Sequence, residues 1–240
     1  MNTRIKVLFF IAAAGAFWAS CKKSNDAPAS TSTVTAFVDV VNVSSANVNF
    51  YINGTRFNNT STFYPGGSLG YLTVPAGTKN YSFKVDGAST PFYNKPFQAD
   101  SASDHTIYIA GQNSDDVFST LDTLVLDTDS AKKATYARVR FVNASASAGN
   151  MSFILRGTTG TVPIDTPWKT NIAFKTSTEF TRIKQGVHYI GIYRAAYPTL
   201  PKVDTVTLTA GKIYTFYGYG TALPAGNAGI LVGLFNSGSE

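Results

Sequence analysis

From Val34 onward the apolar residues fall on every second position, the pattern of strands buried on one face. Val34, Ala36, Val38 and Val40 alternate with Thr35, Phe37 and Asp39. Val48, Phe50 and Ile52 alternate with Asn47, Asn49 and Tyr51, and Asn53-Gly54 then supplies a hairpin dipeptide. Tyr81, Phe83 and Val85 repeat the pattern before Asp86-Gly87, and Ile107 and Ile109 carry it on. Beyond the first twenty residues no stretch sustains a helical stripe for more than about two turns. The expectation is an all-β chain. Composition agrees: 13% aromatic and 14% charged residues argue against disorder, and the scarcity of Leu, Glu and Lys argues against a helical bundle. A length of 240 residues allows one or two domains.

The alternating pattern occurs twice. Residues 37–54 (FVDVVNVSSANVNFYING) are echoed by 138–157 (RVRFVNASASAGNMSFILRG), with Val41-Asn42-Val43-Ser44 against Val142-Asn143-Ala144-Ser145. The stretch from Thr73 to Gly77 before one Tyr/Phe strand corresponds to Thr181 to Gly186 before another, and Ser103 to Tyr108 lies opposite Ala210 to Tyr214. Two units of about 100 residues with about seven short strands each predict two tandem immunoglobulin-like antiparallel β-sandwich domains. Their expected bounds are 34–127 and 136–237, joined by a polar linker at 128–135.

The junction residues and the turns carry a family resemblance. Ala137-Arg138-Val139-Arg140-Phe141-Val142-Asn143-Ala144-Ser145, Tyr51-Ile52-Asn53-Gly54, Val74-Pro75-Ala76-Gly77-Thr78 and Ala210-Gly211-Lys212-Ile213-Tyr214-Thr215 resemble the repeat of the domain of unknown function 4397 family. The second unit lacks the Pro-Ala-Gly turn. The resemblance implies a β-sandwich in secreted bacterial proteins and implies no activity.

The N-terminus reads as an address. Arg4 and Lys6 precede an apolar run from Val7 to Trp18, too short to span a bilayer as a helix. The chain's single cysteine follows in Trp18-Ala19-Ser20-Cys21, which resembles the lipobox of bacterial lipoproteins, with Trp18 where Leu is usual. Residues 1–20 are thus expected to be a lipoprotein signal peptide, Cys21 the acylated (palmitate-bearing) residue, and the polar stretch 21–33 a flexible tether. Two or three acyl chains hold firmly where one binds marginally. The expected location is the bacterial cell envelope, on the outer membrane, with the body outside the cytoplasm.

Chemistry-bearing residues are sparse. Gly66-Gly67-Ser68-Leu69-Gly70 matches the nucleophile-elbow pattern, which needs a strand-to-helix turn, but a strand-like run follows it; Ser68 supports only a secondary hydrolase reading. His105 and His188 lie in separate units, and two histidines cannot complete a zinc site. Asp127 and Asp129 open like a calcium loop, but Lys132 and Lys133 stand where its Gly and later acids belong; Asp115, Asp116 and Asp122 form a second acidic group. No metal and no cofactor are expected. Residues 34–127 carry four Lys/Arg against eight Asp, and residues 135–240 ten Lys/Arg against four acids. Arg138, Arg140, Arg182 and Lys184 sit at alternating strand positions. They read as a solvated face, as a basic surface for acidic glycans or anionic lipids, or as one side of a contact in which the acidic unit leans on the basic one. Trp168, in an insertion of the second unit, is a possible ligand contact, although core packing is the commoner use of such a ring. Nucleic acid is not expected as a partner. The expectation for function is a lipid-anchored, non-catalytic binding or scaffold protein, with a glycan or an extracellular protein as partner.

Overall fold

The computed structural model describes residues 34–58, 61–122, 128–158, 167–197, 202–223 and 229–239. Cys21, the expected signal peptide and tether, and Asp127 lie outside them. Val34–Glu240 forms one compact unit, built almost wholly of strands in four open sheets.

In the first half, β1 (Thr35–Asn42), β2 (Val48–Ile52) and β3 (Thr55–Arg56) are followed by the short β4 (Gly67–Ser68), then β5 (Leu72–Pro75), β6 (Gly77–Val85), β7 (Tyr93–Ala99), β8 (Asp104–Ile109) and β9 (Val117–Leu121). The second half supplies β10 (Tyr136–Asn143), β11 (Met151–Gly157), β12 (Lys169–Ile172), β13 (Thr181–Lys184), β14 (Gly186–Arg194), β15 (Lys202–Leu208), β16 (Lys212–Gly220) and β17 (Ile230–Ser239). One helical turn, α1 (Ser130–Lys133), stands between the halves, its first N–H groups capped by the Asp129 carboxylate.

The halves share a strand order. Sheet β3-β2-β6-β7 faces a sheet in which β1 lies between β8-β9 and the β4/β5 edge; sheet β12-β11-β14-β15 faces β13-β10-β16-β17. Most pairs are antiparallel, but β1 runs parallel to β8 and β10 parallel to β16. This corrects the expectation of wholly antiparallel sheets: the strand that opens each half is paired with one near its end, and both run the same way. A five-plus-four order in the first half and a four-plus-four order in the second, each with a parallel pair, also differ from the four-plus-three order of an immunoglobulin constant-type domain.

Alternation explains the cores. Ala36, Val38 and Val40 of β1 meet Val48, Phe50 and Ile52 of β2 and Tyr81 and Phe83 of β6. Ala137, Val139 and Phe141 of β10 meet Met151, Phe153 and Leu155 of β11 and Ile190 and Ile192 of β14. The turn at Asn53-Gly54 takes the positive φ values (49° and 81°) that this dipeptide tolerates. The Val-Asn-x-Ser signature is a structural hub. Asn42 donates its amide to the carbonyls of Ala46 and Phe63 (2.8 and 2.9 Å) and accepts the N–H of Ser44. Asn143 does the same for Gly149 and Ile172 (2.8 and 2.9 Å) and for Ser145. Both are fully buried, where an unpaired amide would be costly.

A third core lies where the outer faces of β1/β8 and β10/β16 pack together. Val41, Val43 and Tyr108 meet Val142, Ala144, Tyr217 and Phe235. Burial of each large apolar side chain there contributes about 1.5–3 kcal/mol. Gly233 permits the close fit, since a Cβ there would lie 2.1 Å from the Tyr217 ring.

Candidate functional site

The layer between the halves holds most of the buried charge. In the register that pairs Val41 with Val142, Asp39 of β1 corresponds to Arg140 of β10, and both are buried. Arg140 crosses to Asp122, Nη2 to Oδ1 at 2.5 Å, and donates its Nε–H to Thr215 Oγ1 at 2.9 Å. The Phe180 ring covers its guanidinium. Asp122 also accepts from Thr106 (2.5 Å), Tyr71 (2.6 Å) and Thr120 (2.8 Å), so four donors satisfy one carboxylate. Burial opposes the charge on Arg140, but Asp122, by charge and hydrogen bond, together with Tyr108 and Tyr71, outweighs it and the guanidinium is held more firmly protonated.

The acidic half therefore leans on the basic one, and Arg140 is no part of a basic surface. Arg182 and Lys184 remain exposed. A charge flanked by valines, as in Phe37-Val38-Asp39-Val40-Val41, was the sequence signal for this layer.

Ser68 lies beside that network. It sits in β4 paired with β1, with Val41 opposite, and no helix follows it. Ser177 takes the matching place opposite Val142. The Ser68 hydroxyl donates to Asp39 (2.7 Å to Oδ2) and accepts the N–H of Gly70. Burial pushes the Asp39 carboxyl up to about 6, against the opposing hydrogen bond from Ser68. His105 stands edge-on to Phe97 with Nε2 2.8 Å from Ser103 Oγ, and burial pushes its pKa down. The Nε2 of His188 is 2.7 Å from the Lys184 carbonyl.

The acidic groups are likewise placed. Asp129 caps α1 and pairs with Lys132 at 3.2 Å, while Asp115 stands 3.9 Å from Lys95. Among the described residues no group of three or more His, Cys, Asp or Glu gathers as metal ligands. No helix among them is long and apolar enough to cross a membrane. Trp168 packs edge-on against Phe153 with ring centroids 6.0 Å apart, donates its backbone N–H to the Phe153 carbonyl, and carries Lys169 over its exposed side. Its indole is thus partly core and partly surface.

The outward face of the first half's other sheet offers a polar recess. Alternation in β6 puts Asn80, Ser82 and Lys84 on one face. Asn94 of β7 lies opposite Ser82, and the Asn53-Gly54 turn with Pro91 closes the ends. The resulting cleft holds about 390 Å3. Lys84 is held over the Tyr51 ring at 5.0 Å. Beside it, Asn49 accepts from Arg56 (2.6 Å) and donates to Asp86 (3.1 Å), fixing the floor. Amide and ammonium groups on a rigid sheet can hydrogen-bond vicinal hydroxyls, the chemistry of sugar recognition. This cleft is not legible in the sequence alone, because its residues lie on two strands, a turn and a loop and become a set only through strand pairing. The period-two run Asn80, Ser82, Lys84 was the available signal.

The second half lacks that surface at matching register. Ile154 stands where the first half has Tyr51, and Tyr189, Gly191 and Tyr193 stand for Asn80, Ser82 and Lys84. The chain is an all-β, sandwich-like protein whose polar recess, among the described residues, belongs to one half alone. Residues 36–154, from β1 into β11, match the family model described as domain of unknown function (DUF4397). No curated protein matches the chain.

Proposed function

We propose that the chain is a lipid-anchored extracytoplasmic binding protein without catalytic activity. Two tandem family copies form its body; they are immunoglobulin-like in their facing sheets but not in strand order. Its anchor is an acylated Cys21 in the bacterial envelope, on the outer membrane, and its ligand is a hydroxyl-rich glycan. The observation that carries the ligand class is the cleft lined by Asn53, Asn80, Ser82, Lys84 and Asn94. The duplicated strand order and the matching Asn42 and Asn143 hubs support the tandem reading. The bonding of Ser68 to Asp39, with both histidines engaged elsewhere, supports the non-catalytic one.

A glycan array probed with the body starting after Ser32 tests the ligand class. Binding to a polysaccharide, lost at least tenfold in Asn80→Ala/Asn94→Ala with an unchanged unfolding midpoint, is the expected result. An empty array combined with self-association in sedimentation would replace this reading with a structural role. The anchor has its own test: Cys21→Ser should move the protein from the membrane fraction, and an unchanged fractionation would refute it.

A further inference from the structure

The cores of the two halves differ in one respect that leaves space. At register positions defined by Phe50 opposite Phe83 and Phe153 opposite Ile192, the first half carries Tyr81, Phe83 and Phe97, and the second carries Ile190, Ile192 and Val206. In the first half these rings pack on one another, Tyr81 on Phe97 at 4.9 Å and Phe50 on Phe83 at 5.3 Å. In the second half these three rings are gone and two are regained, Phe141 in the place of Val40 and Phe216 in the place of Ile107. The missing volume appears as a cavity of about 230 Å3 between the sheets, open between the edge strands β15 and β17.

Ile190, Ile192, Val206, Phe216 and Val232 line the interior of this cavity. A well-packed domain does not keep such a void, and a smaller apolar cavity of about 150 Å3 suffices to take up benzene. The mouth is amphipathic. Leu231 and Leu234 stand 42% and 41% exposed at its lip, and the exposed Asp204 carboxylate lies at the rim. We propose that this cavity is a binding site for the tail of a single-chain amphiphile whose head is cationic. The apolar interior takes the alkyl chain, the leucines extend its path outward, and Asp204 pairs with the head. A fatty carboxylate would meet like charge at the same rim. The site is separate from the polar cleft, and neither depends on the other.

Calorimetry at sub-micellar concentration tests this, using the chain from residue 22 onward, which keeps all of Val34–Glu240. n-Octylamine should bind once per chain, and n-octanoate at least tenfold more weakly. Val206→Phe, which restores the ring that Phe97 supplies in the first half, should weaken octylamine at least tenfold and raise the unfolding midpoint. Ile190→Tyr provides the same test if that variant fails to fold. Asn80→Ala/Asn94→Ala should leave octylamine binding unchanged. No saturable octylamine binding, or binding unaltered in the filled variants, overturns the site. Octanoate binding as tightly as octylamine overturns the assignment of the head.

Discussion

The two halves agree in strand order and in their buried asparagine hub, and they differ at chosen positions of the layer they share and on the faces they turn to solvent. At one register position the first half has Asp39 and the second Arg140, both in the shared layer. At the next matching pair Thr106 bonds Asp122 while Thr215 bonds Ser237. Tyr108 stacks on Phe118, whereas the equivalent Tyr217 lies over Gly233. The lesson is physical. Two halves of like strand order that bury matching faces against each other must differ in the charges they place there, because like charges would otherwise be confined in one dry layer. The faces turned away from the layer were free to diverge differently, into a polar recess on one half and a trimmed core on the other.

The comparison breaks most visibly at Arg140. Arg140→Ala leaves Asp122 buried beside Asp39 without a cation, and should lower the unfolding free energy by about 3–5 kcal/mol in a denaturant titration. Replacing the pair together, Asp122→Leu with Arg140→Met, should cost far less. Equal losses in the single and double variants would show that the bridge is not the coupling element.

Asp39 supplies the next effect. Its folded pKa of about 6 lies above the ordinary aspartate value of 3.8, so between those values the folded state binds more protons than the unfolded chain. Stability should therefore rise as pH falls from 7 to 4, by about 2 kcal/mol from this group. His105, shifted the opposite way, loses stability as pH falls through the ordinary histidine range. The difference between the wild type and Asp39→Asn isolates the aspartate, and a pH-independent difference would contradict its raised pKa. Smaller still, Gly233→Ala should lose about 1–3 kcal/mol by overpacking against Tyr217. Val206→Phe should gain about 1 kcal/mol by filling the second core.

Much of the fold was legible because alternation is a local property: the strands through Phe50, Phe83 and Ile107 could be read one at a time. The strand order common to both halves left a trace in Val41-Asn42 against Val142-Asn143. What alternation cannot convey is which outward face finds a partner. Arg140 reads as a solvated charge until the second sheet is laid against the first, and Asp122 gathers donors from β8, β9 and the residue before β5, which only pairing brings together. The parallel pairs were hidden for the same reason, since strand direction leaves no trace in a period of two. Trp168 was visible as a candidate, but its seat on Phe153 depends on the register of β11 with β12.

Hydrogen exchange through a denaturant series, followed separately in β8 and β16, measures directly whether the halves are one cooperative body. Docking through the Asp122–Arg140 layer predicts that both strands open at the same free energy in the wild type and separate in Arg140→Ala. Two distinct opening free energies in the unaltered protein would contradict it.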